Sequence, residues 1–379
     1  RLRFGAGDFG SYQAAFVANS VLIEDTLAFR LSYEKRETDG FFKTLTSNND
    51  RAAFSDVETF RLGVRYDPTD RLSALVKYTI IDDRGSTPRL GSVPLPRGIS
   101  ASENARDHRI QSLNLELNYD LSTAVQLISN TIYTATNVAS DSTSSIAEIT
   151  QIRSYDVFEQ EFRLAYETDR SKAVLGAFYT SIDETSDQTA IARGLLGLPV
   201  TAFLDSSIIE TRFIENYAIF GEIEYAMSPS WTVIAGGRYD IEELSESSLD
   251  TLEINNNGVI TPLPSNADPN TSNRYEAVQP KLGVVYAFDQ DRSLGVTYQR
   301  GYRAGGSGVN AGAVDAGGAL VTFSFEPEFT DTVELAFRSS FAEGRTAFNA
   351  NVFYTEYDDI QIIDQNPLNR RDITIINGG

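Results

Sequence analysis

The 379-residue sequence has no cysteine, one histidine (His108) and one methionine (Met227) that does not stand at its start. Without cysteine, thiol catalysis, zinc ribbons and disulfide scaffolds are excluded together. The compartment stays open, since cysteine-free chains suit oxidising and reducing surroundings alike. His108 lies among Arg106, Asp107 and Arg109, the setting of a solvated side chain and not of a general base held against a nucleophile. No Ser, His and acid constellation stands out, so no catalytic residue and no enzymatic activity are expected. An excess of cations is missing too. The formal charge is −21, whereas a nucleic-acid partner requires clustered Lys and Arg to displace phosphate counterions. Also absent is any apolar run of about 18 to 20 residues, which excludes a transmembrane helix, and no signal peptide is visible at Arg1. A β-barrel escapes that test, because its lipid-facing and lumen-facing residues alternate and its average hydropathy is ordinary.

Local motifs for metals and phosphates are equally thin. Asp82-Asp83, Asp289-Gln290-Asp291 and Tyr357-Asp358-Asp359 supply oxygen donors, but none has the spacing of an EF-hand, and no metal site is assigned. Gly305-Gly306-Ser307-Gly308 lacks the following helix and the Lys-Ser/Thr pair of a phosphate cradle. It reads as a loop, and no cofactor is expected.

What the sequence does contain is period-2 alternation, in segments of roughly ten to fourteen residues broken by polar turns. Ile219, Gly221, Ile223 and Tyr225 share one face of a strand, while Ala218, Glu222 and Glu224 share the other. Trp231, Val233, Ala235, Gly237 and Tyr239 repeat the pattern after a turn. So do Leu282, Val284 and Tyr286; Leu294, Val296 and Tyr298; and Phe348, Ala350, Val352 and Tyr354. Short turns are expected at residues 24–26, 68–70, 120–122, 169–172, 227–230, 289–292 and 342–344. Longer polar connections are expected at 39–54, 84–106, 139–153, 189–211, 245–273 and 304–328. Short turns at one end and long loops at the other are the pattern of an outer-membrane barrel.

The tyrosines fall in two rings. Tyr66, Tyr119, Tyr166, Tyr225 and Tyr286 close strands that run toward the short turns, with Trp231 beside them. Tyr33, Tyr78, Tyr133, Tyr179, Tyr239, Tyr298 and Tyr354 lie about eight to ten residues beyond the turns, on the order of 20 to 25 Å of height for tilted strands. Such rings fit the two girdles that flank an apolar band in outer-membrane lipid. On the polar phase of the strands stand Arg30, Glu34, Arg65, Lys77, Glu116, Glu222, Arg238, Lys281, Glu334 and Arg338. Turned to lipid they would be costly, so they must line something polar. The expected fold is therefore all-β: a transmembrane, antiparallel, up-and-down β-barrel, with roughly fifteen or sixteen strands present over residues 1–379. Residues 374–377 read as the start of a further wall strand.

Several ordered pieces resemble TonB-dependent receptors. They are Gln160-Glu161-Phe162-Arg163-Leu164 with Leu175-Gly176-Ala177-Phe178-Tyr179; Ala218-Ile219-Phe220-Gly221-Glu222 with Gly236-Gly237-Arg238-Tyr239-Asp240; and Pro280-Lys281-Leu282-Gly283. Further on come Gln299-Arg300-Gly301-Tyr302-Arg303-Ala304-Gly305-Gly306 and Pro327-Glu328-Phe329 with Val333-Glu334-Leu335, ahead of residues 349–360. The resemblance implies a barrel of 22 strands, of which the last few are outside the chain. It also implies a plug domain threaded through the lumen, a TonB partner that pulls on a segment before Arg1, and location in the outer membrane of a Gram-negative bacterium. On that resemblance Tyr302 and Arg303 contact ligand, the lumen-facing charges meet the plug, and Glu334, with Glu222 second, faces plug arginines. The function implied is TonB-coupled import of a scarce bulky nutrient such as a ferric siderophore, cobalamin or a glycan. A passive porin and an adhesive or structural barrel are the alternatives. Asp205, Glu242, Glu243, Glu246 and Asp250 add an acidic bias that suits cationic or metal-bearing cargo as well as plain solvation.

Overall fold

The computed structural model describes residues 1–44, 52–89, 99–100, 102–143, 147–193, 202–263, 271–314, 320–341, 344–366 and 373–378. Every regular element among them is a β-strand. In chain order these are β1 (Leu2–Ala6), β2 (Tyr12–Ile23), β3 (Leu27–Thr38), β4 (Lys43–Thr44), β5 (Ser55–Thr69), β6 (Leu72–Arg89), β7 (Ile99–Ser100) and β8 (Ser102–Asp120). There follow β9 (Val125–Thr143), β10 (Ala147–Glu167), β11 (Ser171–Arg193), β12 (Ala202–Ala226), β13 (Trp231–Asn256), β14 (Val259–Pro262) and β15 (Thr271–Ala287). The last are β16 (Arg292–Arg303), β17 (Gly306–Val314), β18 (Leu320–Phe325), β19 (Glu328–Phe341), β20 (Thr346–Asp358), β21 (Ile360–Gln365) and β22 (Ile373–Gly378).

One antiparallel sheet runs in the order β1-β2-β3-β5-β6-β8-β9-β10-β11-β12-β13-β15-β16-β19-β20, with β14 hooked onto β13. Each wall strand pairs with its predecessor and successor in the sequence of wall strands, as an up-and-down barrel requires. Among the described residues β1 and β20 pair on one side only, so this is an open wall. It is an all-β membrane-barrel wall, the expected class, with the expected number of strands.

Tight connections gather at one end. Residues 227–230 join β12 to β13 as anticipated. The turn anticipated at 68–70 lies at 70–71, because a bulge between Tyr66 and Thr69 lets β5 run longer. That anticipated at 120–122 lies at 121–124. In the β2–β3 turn Asp25 takes a left-handed φ of 55°, a conformation that Asp tolerates better than most residues. Residues 342–343 of another expected turn lie outside the described residues.

The opposite end departs from expectation. Residues 139–153, 189–211 and 245–273 are not mainly loop: β9 runs to Thr143 and β10 resumes at Ala147, β11 reaches Arg193, and β13 spans 26 residues. Above the apolar band both faces of a strand meet water, so the hydrophobic alternation fades while ladder hydrogen bonding continues. The pattern recorded the band and missed its extension. Residues 374–377 likewise do not join the wall. They lie in β22, which pairs with β21. Asp359, at φ 56°, ends β20 and redirects the chain there.

Two small hairpins therefore sit at the long end, β17–β18 and β21–β22. Asn377 staples them: its Nδ2 donates to the carbonyls of Asp359 (2.8 Å) and Glu326 (3.0 Å), and its Oδ1 accepts from the Glu326 amide at 2.7 Å. Gln361 adds a bond from Nε2 to the Ala304 carbonyl at 2.7 Å.

Candidate functional site

Paired residues of an antiparallel ladder point to one side of the sheet, so the register sorts every side chain. One face holds the exposed apolar residues Leu175, Ile219, Val278, Leu282 and Val352. The other holds Asn216, Ala218, Asp240, Leu244 and Ala277, each at most 9% exposed, as crowding on the concave side requires. All ten charges expected to face the lumen share the second phase. The aromatic residues expected in the girdles share the first.

On the outer face the upper tyrosines follow a rule. Tyr33, Tyr133, Tyr179, Tyr239 and Tyr298 stand opposite Phe60, Phe158, Tyr217, Val278 and Val333 on the next wall strand. Each phenol donates diagonally to the carboxylate two residues farther from the tight turns. The acceptors are Glu58 (3.1 Å), Asp156 (2.7 Å), Glu215 (2.8 Å), Glu276 (2.6 Å) and Asp331 (2.6 Å). Tyr217 joins the ring through a bond to Glu215 at 3.0 Å. Sequence reading missed Tyr217 and all five acids, although the signal was present as an acid placed two before an apolar residue. At the lower ring Trp231 and Tyr286 are register partners with ring centroids 4.7 Å apart.

The inner face across β11, β12, β13 and β15 is built in rows. Glu222, Gly236 and Lys281 form one row. Because Gly236 has no side chain, Lys281 Nζ reaches over it to Glu222 Oε2 at 2.7 Å. In the next row Gly176 faces Phe220, whose ring occupies the space a Cβ would fill. Arg238 lies over the rings of Phe178 and Phe220, 5.2 and 5.9 Å from their centroids. Its Nε and Nη2 grip Asp240 at 2.7 Å each, and Gln279 donates to the same carboxylate at 2.6 Å. Asp240 is only 4% exposed, so these charge-assisted bonds are what permits its burial.

Above this layer the wall opens into a recess of about 490 Å³ lined by Arg153, Glu184, Glu210, Arg212, Glu246 and Asp250, with Thr271 and Ser307 at its edge. Arg212 Nε donates to Glu246 at 2.6 Å. The β17–β18 hairpin is tied to the recess wall: Ser307 Oγ donates to Glu246 Oε2 at 2.9 Å and lies 3.0 Å from Thr271 Oγ1. Burial, helped by the charge of Asp250, raises the Glu210 carboxyl above the ordinary range. Burial does the same for Glu242, just below.

The expected ligand contacts separate. β15 and β16 pair only from Lys281–Gln299 to Ala287–Ser293, so the strands splay above that point. Tyr302 stands opposite Phe329 in the register, with ring centroids 5.5 Å apart. Its hydroxyl is buried without a hydrogen-bond partner, and burial, followed by the charges of Glu242 and Asp240, pushes its pKa up. Arg303 is exposed.

The remaining inner charges differ in how they are held. Glu34 accepts from Arg36 (2.6 Å) and Gln13 (2.5 Å), Arg65 pairs with Asp67 (2.6 Å), Glu116 accepts from Asn118 (2.9 Å), and Glu334 from Asn351 (2.7 Å). His108 stands opposite Asp83 and Val138. Among the described residues there is no group of three or more His, Cys, Asp or Glu able to hold a metal ion.

The family described as TonB-dependent receptor-like β-barrel matches residues 77–377. Among solved structures, the ferric yersiniabactin uptake receptor FyuA from Yersinia pestis is similar with a TM-score of 0.76 at 16% identity, over 95% of this chain and 54% of that one. The alcaligin outer-membrane receptor FauA from Bordetella pertussis gives 0.61 at 14%, over 99% and 55%. The copper transporter OprC gives 0.70 at 12%, over 98% and 55%. At such identities the likeness carries the fold alone. The chain spans about half the length of these proteins.

Proposed function

The chain belongs to the TonB-dependent receptor-like β-barrel family, an outer-membrane family of Gram-negative bacteria, and from that premise we propose that the whole protein imports a scarce, bulky nutrient. The charged recess on the inner wall carries this reading, because it lies at the end opposite the tight turns, where a solute arriving from outside is met first. Its acids Glu184, Glu210, Glu246 and Asp250 outnumber Arg153 and Arg212. That balance favours cargo with a cationic or metal-bearing face, such as a metal chelate, over an anionic glycan. Tyr302 and Arg303, on β16, supply further contacts to cargo. The inner-face charges meet a plug domain in the lumen, and TonB coupled to the proton gradient displaces that plug.

Uptake measured with the whole protein in cells with and without TonB tests the proposal. Import of a ferric chelate that stops when TonB or the proton gradient is removed is the expected result. Import that persists would make the protein a passive porin. Absence of any import, with the barrel in place, would leave an adhesive role.

A further inference from the structure

On the lipid-facing side of β10 to β13 the register sets Phe162, Ala177, Ile219 and Tyr239 in one row, and Gln160, Tyr179, Tyr217 and Ile241 in the row above. Ala177 is the one small side chain of the eight, so its methyl forms a floor between taller neighbours. The result is a hollow of about 460 Å³ walled by Phe162, Tyr179, Tyr217, Ile219 and Tyr239. Its walls are held in place. The rings of Tyr179 and Tyr217 lie 4.9 Å apart, both hydroxyls are fixed on Glu215, and that of Tyr239 is fixed on Glu276. Between apolar surfaces in a bilayer no hydrophobic drive exists, so close packing alone distinguishes one contact from another. A notch between fixed rings packs against a hydrocarbon chain without first having to order its own side chains.

Above the phenols the same face turns acidic. Asp156 stands directly opposite Asp183, and Glu215 directly opposite Glu243, pairings that repel unless a cation comes between them. Arg274 answers Glu243 and Glu276, at 2.9 and 3.0 Å. Asp156 and Glu215 accept from phenols, and neither they nor Asp183 have a cationic partner among the described residues. Two residues along a tilted strand raise these carboxylates about 5 Å beyond the phenol rows, to the level where headgroups meet a girdle of tyrosines. A hydrocarbon notch beneath a net anionic rim matches a lipid whose head carries an ammonium group, and repels one whose head is only anionic. We propose that the outer face of β10 to β13 is a seat for an amine-headed phospholipid, its acyl chain over Ala177 and its ammonium group among the carboxylates above Tyr179 and Tyr217. The seat requires only that this wall faces lipid, and it stands or falls apart from any imported cargo.

The test places the whole protein in phosphatidylcholine vesicles holding equal parts of phosphatidylethanolamine and phosphatidylglycerol, with EDTA present, and identifies the lipids that stay bound by native mass spectrometry. Phosphatidylethanolamine should be retained over phosphatidylglycerol by about fivefold or more, the scale of one charge met at a membrane surface. Ala177→Phe fills the notch and should remove the retained lipid. Asp156→Asn with Asp183→Asn, two exposed positions, should keep a lipid bound and bring the preference close to parity. Unfolding midpoints of both variants are read alongside, so that a collapsed barrel is not counted as a lost lipid. Equal retention of the two lipids by the parent protein would overturn the amine-headed seat, and so would undiminished retention by a folded Ala177→Phe barrel. A preference for phosphatidylglycerol that emerges only with added magnesium would replace the ammonium group by a divalent cation bridging carboxylate to phosphate.

Discussion

Replacing Gly236 by alanine isolates the role of the glycine between Glu222 and Lys281. A Cβ at position 236 would lie 2.9 Å from the Gly221 carbonyl, 3.1 Å from Glu222 Cβ and 3.2 Å from Glu222 Cα. The first and last of these are backbone atoms and cannot rotate away, so the strand must shift and the lysine loses its path. The direct Coulomb term of such a pair is about 4 kcal/mol at an effective dielectric of 20. Both side chains are about a third exposed, at 35% and 30%, and desolvation and side-chain ordering offset most of that term. A coupling of about 1 kcal/mol remains, roughly a factor of five in the folding equilibrium. The assay is a double-mutant cycle with Glu222→Gln and Lys281→Met, read from denaturant unfolding of the whole protein in lipid vesicles. It is repeated in the Gly236→Ala background. Coupling near 1 kcal/mol with glycine and near zero with alanine is expected. A cycle energy that is the same in both backgrounds would refute the reasoning, even if alanine lowered overall stability by the roughly 1–3 kcal/mol typical of overpacking.

The Phe220 ring fills the place of a Cβ at Gly176. Gly176→Ala should therefore destabilise the barrel by about 1–3 kcal/mol and move Arg238 off its stacked position, seen as a lower unfolding midpoint; an unchanged midpoint would count against that packing. Tyr302→Phe removes a hydroxyl that has no partner, so unfolding should be unchanged or harder by up to about 1 kcal/mol. Chelate affinity should fall in the same variant if the phenol touches cargo; equal affinity would remove Tyr302 from the binding surface. Glu210 has a raised pKa, so its charge is lost before that of an ordinary carboxylate as pH falls from neutral. Binding of cationic cargo should weaken over that range, while the local strain of a buried charge is relieved, so the recess gains stability as binding declines. Glu210→Gln should flatten that pH dependence, and a profile identical to the parent would exclude this carboxyl. Tyr239→Phe frees Glu276 from a 2.6 Å bond and should cost about 1 kcal/mol in vesicle unfolding, against no change if the girdle phenols are solvated independently.

Alternation along Ile219, Gly221, Ile223 and Tyr225 made the membrane strand legible from sequence, because lipid and lumen impose different chemistry on successive side chains. The tight turns at 227–230 and the two aromatic levels were legible for the same reason. The strand extensions through residues 139–143 and 245–256 were not, since a ladder in water on both faces needs no hydrophobic pattern. The fate of residues 374–377 depended on one left-handed backbone angle at Asp359, which composition does not announce.

Sequence by itself determined that a barrel wall forms and how many strands it holds, since these depend on each strand alone. It could not determine partners. Which charges meet depends on the stagger between neighbouring strands, and a shift by one residue would send every side chain to the other face. Only the tertiary register set Glu222 and Lys281 across Gly236 as a closed pair and left Arg30 and Lys77 across Gly63 as an open one.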